Sequence, residues 1–166
     1  ITGGVINIQA ALSSDDAIIV TWEDHRRGQP FSIYAQKISW EGELLWGEEG
    51  AKCAEMAFDQ TRPFICSDDE GGAIIAFKYP TDDEDDEIYL QHLNANGNRL
   101  WGDEGFILTN NRVDESVESI TSDGEGGAVV LWRAWGAFDN LWIQRVDGDH
   151  ELLWGESRRV SNEVGN

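Results

Sequence analysis

The sequence predicts an all-β protein made of three repeats, because sequence markers recur at one interval and short β-branched runs alternate with turn residues. The first marker is a tryptophan segment that reads G-E-L-L-W-G-E-E-G at 42–50, G-N-R-L-W-G-D-E-G at 97–105 and H-E-L-L-W-G-E at 150–156. Its tryptophans are 55 and 53 residues apart (Trp46, Trp101 and Trp154). Three copies that keep this interval identify a repeat protein.

Two further markers keep almost the same interval. One is an aromatic residue followed two positions later by glutamine (Tyr34 and Gln36, Tyr89 and Gln91, Trp142 and Gln144). The other is Gly-Gly-Ala with two β-branched residues at 71–75 and 126–130, which we match with 15–19 in the first copy. We expect the repeated aromatic rings to pack between neighbouring repeats. We expect the glutamine amides to be buried and to bond backbone groups of a neighbouring strand.

Each copy contains four strand candidates separated by turn residues. The β-branched run at 17–22, with its counterparts at 73–79 and 128–133, predicts the second strand of each copy. Asn96-Gly97 and Asp147-Gly148 are hairpin turn signals before the fourth strand. We predict that the fourth strands run through the tryptophan segments, at 44–53, 99–109 and 152–161. No helical period of useful length is present.

Four strands in a unit of this length favour a β-propeller blade. We predict a β-propeller section of three four-stranded antiparallel blades at 1–53, 54–109 and 110–166. A β-sandwich of twelve short strands is the main alternative, and a solenoid usually has shorter repeats. Closed propellers have about four to eight blades, so three blades leave two apolar end faces. We therefore expect the chain to belong to a longer protein or to dock with further copies or other chains.

The repeats resemble tandem propeller repeats of large secreted and cell-surface bacterial proteins. Their shared pattern is D-x-x-G-G-A-I-I-x-x-W-x-D-x-R, then I-Y-A-Q, then G-x-x-x-W-G-x-x-G. The first copy matches it at 22–26, 33–36 and 42–50, whereas Phe77-Lys78-Tyr79 and Arg133-Ala134 depart from it in the later copies. The resemblance implies a propeller architecture and an extracellular or cell-surface location, and it implies no activity.

Composition narrows the class of partner. The chain has 32 acidic and 12 basic residues, a formal charge of −20. Such a surface repels phosphate backbones and anionic headgroups, so we expect no nucleic-acid partner and no membrane insertion. The chain begins at Ile1 without methionine, as we expect of a processed chain or of a segment of a longer protein. Cys53 and Cys66 fall at different repeat positions, which favours two separate thiols over a disulfide.

Loops that differ between the copies form the candidate binding surface. The loops after the second strands share one face with those that follow the fourth strands, at 23–31, 80–87, 133–140, 54–61 and 109–115. The candidate ligand residues are Trp135, Phe138, Arg26, His25 and Arg133. Exposed aromatic rings beside charged groups suit stacking on a sugar or contact with a protein. The alternative is that Trp135 and Phe138 fold back over the blade edge.

Six consecutive carboxylates at 82–87 form a candidate calcium loop, with Asp82, Asp83, Asp85 and Asp86 as ligands. The run lacks the alternating spacing and the glycine of a dedicated calcium loop, so a solvated acidic loop is the alternative. No other cofactor is expected.

Catalysis finds little support in the sequence. The three histidines occupy different repeat positions and suggest no shared metal site, and no nucleophile-elbow motif is present. We predict a non-catalytic extracellular structural or protein-interaction module. Lectin-like carbohydrate binding by the variable loops is the first alternative, and a sialidase-like glycoside hydrolase is the second.

Overall fold

The computed structural model describes residues 4–26, 28–80, 85–111, 113–136 and 139–161, which form twelve β-strands and no helix. Sheet 1 contains β1 (Val5–Ser13), β2 (Ala17–Asp24), β3 (Ser32–Ser39) and β4 (Ala51–Lys52). Sheet 2 contains β5 (Thr61–Ser67), β6 (Ala73–Pro80), β7 (Asp86–Leu93) and β8 (Phe106–Ile107). Sheet 3 contains β9 (Glu115–Ser122), β10 (Ala128–Ala134), β11 (Asn140–Val146) and β12 (Arg158–Arg159). The prediction of an all-β chain with three four-stranded antiparallel sheets is confirmed.

Within each sheet the strands follow one another in chain order, so each repeat is an antiparallel meander. The first strands of the sheets lie side by side, β1 against β5 and β5 against β9. The described residues contain no helix long and apolar enough to cross a membrane.

The fourth strands are far shorter than predicted, with two residues each (β4, β8 and β12). In sheet 1 the ladder begins with a single bridge between Ile38 and Leu44 and then breaks until β4. Gly47 and Gly50 lie in this break and both have φ of +79°, a conformation that favours glycine and leaves the strand geometry. A Cβ at Gly50 would lie 2.5 Å from the carbonyl oxygen of Ala35. The prediction of strands at 44–53, 99–109 and 152–161 was wrong, because a tight glycine loop occupies most of each segment.

Each repeated glutamine is buried and holds this tryptophan loop against its own sheet. The Nε2 group of Gln36 donates to the carbonyl of Gly47 (2.6 Å), and its Oε1 accepts from the backbone N–H of Trp46 (2.9 Å). The other copies repeat the donation at 2.9 and 3.2 Å (Gln91 to Gly102, Gln144 to Gly155). We expected bonds to a neighbouring strand. The loop is the partner instead, because its backbone has left the ladder and needs other hydrogen-bond partners.

The register of the strands also corrects the match of the first repeat. Gln36 pairs with Val20, whereas Gln91 pairs with Ile75 and Gln144 with Val130. Val20 is therefore equivalent to Ile75, one residue later than the match of 15–19 with 71–75 implies. The turn is not the cause, because the paired residues Ala10 and Val20, Ile65 and Ile75, and Ile120 and Val130 are equally far apart in the chain. The register makes Ala17 equivalent to Gly72, so the Ala-Ile-Ile letters that both copies share do not mark equivalent positions.

Strand alternation gives each sheet two faces, and we call the one that carries the repeated glutamine the glutamine face. In sheets 2 and 3 this face packs on the preceding sheet. In sheet 2, Ile75 and Phe77 contact the sheet 1 cluster, while Ile74 and Ala76 contact the sheet 3 cluster. We call the contact between sheets 1 and 2 the first interface and that between sheets 2 and 3 the second interface. Sheet 2 is thus buried on both faces.

The two cysteines belong to different interfaces and are free thiols. Cys53 lies in the first interface and Cys66 in the second, and both are buried. Burial raises the pKa of both thiols, so they remain protonated and pack as small apolar groups.

Candidate functional site

Two of the repeated tryptophans join neighbouring sheets. The indole N–H of Trp46 donates to the carbonyl of Ala95 in sheet 2 (3.0 Å), and that of Trp101 donates to Gly148 in sheet 3 (2.8 Å). These two rings are 8% and 7% exposed, whereas Trp154 is 36% exposed. The third copy therefore carries the same side chain without the contact that its equivalents make.

The turn that receives each tryptophan is adapted to it. A Cβ at Gly97 would lie 2.9 Å from the ring of Trp46, so only glycine fits beneath this indole. At the equivalent place in sheet 3, the ring of His150 stands edge-on to Trp101, with ring centres 6.0 Å apart. In sheet 1 the equivalent residue is Gly42, and no described atom lies within 4 Å of where its Cβ would be. Sheet 1 therefore has an equivalent turn on which no tryptophan packs among the described residues.

A basic side chain occupies one repeated position in β3, β7 and β11. Lys37 Nζ bonds Asp15 Oδ2 (2.6 Å) and reaches the carbonyl of Gly71 in sheet 2 (2.7 Å). The hydrogen bond from Lys37 is the main cause that lowers the pKa of Asp15. The counterparts are His92 with Asp68 (2.9 Å) and Arg145 with Asp123 (2.8 Å). Each fastens the turn between the first two strands of its own sheet.

The Asp68 carboxylate shows how this fastening works. Burial opposes its ionisation, but hydrogen bonds from His92 and from the backbone N–H groups of Glu70 and Gly72 lower its pKa below the ordinary value. His92 Nδ1 also lies 3.4 Å from the carbonyl of Gly148 in sheet 3. The basic position thus links sheets as well as turns, at both interfaces.

A pocket of about 640 Å³ opens at the second interface, where the loop after β8 meets the loop after β10. We call it the tryptophan pocket, because three tryptophans line it (Trp132, Trp135 and Trp142). Its polar lining includes three asparagines and two carboxylates (Asn110, Asn111, Asn140, Glu115 and Glu156). The pocket lies between two of the variable loops that the sequence singled out, those at 109–115 and 133–140.

The pocket lies where the third copy has a small residue at a position that a large one occupies in the second. Tyr79 of β6 pairs with Glu87, and Ala134 of β10 pairs with Asn140, which makes Tyr79 and Ala134 equivalent. The ring of Tyr79 fills the first interface, with centres 5.3 Å from Tyr89 and 6.1 Å from Phe58. The methyl group of Ala134 leaves the corresponding space open.

Glu115 is a buried carboxyl in the wall of the pocket, 1% exposed. Its Oε1 accepts from the indole N–H of Trp132 and from the Asn111 amide, both at 3.1 Å. Its Oε2 is buried and has no hydrogen-bond partner among the described residues. Burial is the largest effect on the pKa of Glu115 and raises it to about 7, the charge of Glu87 adds to this rise, and hydrogen bonds from Thr109, Asn111 and Trp132 act in the opposite direction. The carboxyl can therefore donate or accept a hydrogen bond near neutral pH.

The structure brings only part of the predicted ligand set together. Trp135 lines the pocket, and the guanidinium of Arg133 lies 5.9 Å from its ring centre and pairs with Glu118 at 3.0 Å. Phe138 lies outside the described residues. His25 and Arg26 are absent from the pocket lining and interact within the loop of sheet 1.

The sheet 1 loop is held by its own contacts. The ring of His25 stacks on Phe31 with centres 3.6 Å apart and contacts the carboxylate of Glu23. Arg26 pairs with Asp24, and although burial opposes ionisation, this pairing lowers the pKa of Asp24. His25 and Arg26 therefore support this loop and do not join Trp135 in one site.

The predicted calcium ligands are only partly described. Asp82 and Asp83 lie outside the described residues, Asp85 interacts within the protein, and Asp86 forms an ion pair with Lys78. Among the described residues, no three or more His, Cys, Asp or Glu side chains are grouped so as to hold a metal ion. Calcium binding by this loop stays a prediction.

Sequence reasoning missed Glu115, Trp132 and Ala134. Glu115 occupies the place of Gln60, an amide of the first interface that bonds Ile33 N–H and the Ala54 carbonyl at 3.3 and 3.2 Å. Aligning the second and third copies by Gly71-Gly72-Ala73 and Gly126-Gly127-Ala128 would have shown this exchange of amide for carboxyl, as well as the exchange of tyrosine for alanine.

The comparisons with known proteins identify no family. No family model matches the sequence, and no curated protein matches it. Among solved structures, a hypothetical protein from Leishmania major matches over 96% of this chain and 69% of that chain, at 8% identity and with a TM-score of 0.32. A similarity at this level carries no argument about fold or activity.

Proposed function

We propose that the chain is a β-propeller section that acts as a non-catalytic structural module and assembles by docking one sheet onto another. The observation that carries the proposal is a contact set that is made twice within the chain and left open at both ends. Trp46 and Trp101 each reach the hairpin turn of the next sheet, whereas Trp154 has no next sheet among the described residues. The extracellular or cell-surface location rests on the resemblance of the repeats.

Both end faces of the described chain carry apolar side chains. The glutamine face of sheet 1 presents Val20, Trp22 and Tyr34, which no other described sheet covers. The opposite end presents Leu131 and Ile143 of sheet 3. In sheet 2 the corresponding residues Ile75, Phe77, Ala76 and Leu90 are buried between sheets, and Tyr89 is partly buried. Apolar faces of this kind mark interaction surfaces in soluble proteins.

The partner that fits these faces is a second copy of the chain. Trp40 stands at the position of Ala95 and Gly148, whose carbonyls accept the indole N–H groups at the two interfaces. Trp154 of one copy would donate to the Trp40 carbonyl of the other, above Gly42. Two copies joined in this way at both ends contain six sheets, which falls within the roughly four to eight blades of closed propellers.

The mass of the particle tests the proposal. Size-exclusion chromatography with light scattering should give a two-chain particle for the intact protein and a single chain for Trp154→Ala. Leu100→Ala is the matched control, because Leu100 is 51% exposed and precedes Trp101 as Leu153 precedes Trp154. This control should stay a two-chain particle. A single chain for the unaltered protein at high concentration would refute the proposal.

A further inference from the structure

We propose that the tryptophan pocket binds a neutral sugar ring. The proposal goes beyond assembly, because the pocket lies within one chain, between sheets 2 and 3. Its volume of about 640 Å³ falls within the roughly 300–1,000 Å³ of small-molecule sites.

The aromatic part of the pocket suits the apolar faces of a sugar ring. Trp135 is 37% exposed and Trp142 is partly exposed, so both are accessible to a ligand. Trp132 is 2% exposed, and its indole N–H is held by Glu115, which makes it a fixed part of the wall. Aromatic side chains supply large contact area at low cost in conformational entropy.

The polar part of the pocket has a vacant hydrogen-bonding position. At the first interface both amide atoms of Gln60 are used. At the second, Glu115 keeps one buried oxygen without a partner among the described residues. A buried polar atom without a partner costs about 1–3 kcal/mol. This oxygen has almost no accessible surface, so a ligand hydroxyl would bond it, and recover part of that free energy, once the Glu115 side chain turned toward the pocket. Sugar hydroxyls also match the asparagine amides, which both donate and accept.

Charge separates a neutral sugar from the alternatives. The charged residues of the described lining are carboxylates, Glu115 and Glu156, which disfavour an acidic sugar. An ammonium group would suit the carboxylates and the indoles, but it has no use for amide donors. Asn110 and Asn111 carry such donors, since the Asn111 amide has a second N–H beside the one that bonds Glu115, so the lining favours hydroxyl groups over an ammonium group.

The experiment is a titration of the intact chain, followed by tryptophan fluorescence and by saturation-transfer NMR. The probes are the methyl glycosides of glucose, galactose and mannose, with N-acetylglucosamine, and with choline and N-acetylneuraminic acid as the cationic and anionic comparisons. We expect saturable binding of at least one neutral sugar at millimolar concentration. Binding of choline or N-acetylneuraminic acid in place of every neutral sugar, or no saturable binding at all, would overturn the proposal.

Two variants locate the site. Trp135→Ala should weaken binding about tenfold or more through loss of stacking, and Ala134→Tyr should abolish it by filling the pocket as Tyr79 fills the first interface. Phe58→Ala is the control, because Phe58 is an exposed aromatic residue of the equivalent loop at that interface. The Phe58→Ala variant should bind the neutral sugar with the same affinity as the unaltered chain. If Ala134→Tyr does not fold, Trp135→Ala is the test of the site. An unchanged affinity of Trp135→Ala for the sugar would refute binding in the tryptophan pocket.

Discussion

The two interfaces of the chain are fastened alike at the tryptophan turns and differ at the end where the variable loops lie. The first interface is closed there by the ring of Tyr79, and its buried amide Gln60 has both groups bonded. The second has Ala134 and Glu115 at the same two positions, and it contains a pocket and a buried carboxyl oxygen without a hydrogen-bond partner among the described residues. Two repeats can thus keep the tryptophan contacts that join neighbouring sheets and still differ at two residues, so that one interface contains a pocket while the fold stays the same.

Replacing a tryptophan that joins two sheets should have the largest effect on the free energy of unfolding. Trp101→Ala should lower the free energy of unfolding by about 3–5 kcal/mol, because it removes a buried ring and leaves the Gly148 carbonyl without its donor. Trp154→Ala should cost less than about 1 kcal/mol in the single chain, since this residue is 36% exposed and its indole reaches no next sheet among the described residues. Urea denaturation at a concentration where the chain is monomeric measures both. Equal losses would mean that Trp154 already packs as Trp101 does.

The exchange of amide for carboxyl should appear in the pH dependence of stability. The folded-state pKa of Glu115 is about 7, above its ordinary value of 4.5. The folded chain therefore holds this proton over a range where the unfolded chain has released it. The contribution to stability is then unaffected below about pH 4.5, falls as the pH rises toward 7 and stays low above it. Burial and the charge of Glu87 are the physical causes.

Glu115→Gln should remove this fall in stability. We expect similar stability of both chains near pH 4 and a gain for the variant at pH 8 of up to about 3 kcal/mol, since one unit of pKa shift corresponds to about 1.4 kcal/mol. The reciprocal variant, Gln60→Glu, should introduce the same fall at the first interface. Denaturation curves between pH 4 and 8 measure both, and parallel curves for Glu115→Gln and the unaltered chain would contradict the assignment.

The repeat markers of the sequence were sufficient to predict the number of sheets and the strands at their centres. The spacing of Trp46, Trp101 and Trp154 gave three units, and the β-branched runs became β2, β6 and β10. The hydrophobic pattern of a strand is a local property of the sequence, so these strands can be recognised without knowledge of the packing. The fourth strands were predicted too long, because Gly47 and Gly50 adopt positive φ, and the contacts of this loop with Gln36 and Ala35 of the third strand are not visible in the sequence.

The pocket could not be predicted in the same way. Trp135 stood out as an aromatic residue of a variable loop, but no sequence feature distinguishes Ala134 beside it until the register equates it with Tyr79. The first copy was displaced by one residue, because Ala-Ile-Ile occurs at 17–19 and at 73–75 although the register makes Ala17 equivalent to Gly72. A side chain that is missing from an interface leaves no motif. It becomes visible only when the filled interface beside it supplies the comparison.

Ala134→Tyr tests that comparison with the smallest expected effect on stability. The new ring should occupy the space between Trp142 and the loop after β8, as Tyr79 does beside Tyr89 and Phe58. Filling a cavity of suitable shape commonly adds about 0.5–2 kcal/mol, and we expect about 1 kcal/mol because Trp135 and Trp142 are partly exposed there. The midpoint of urea unfolding at pH 5, where Glu115 is largely protonated, isolates this gain from its ionisation. A loss of stability would mean that the walls of the second interface have closed around a smaller space than the equivalence implies, and the pocket would then be shaped by more than the missing ring.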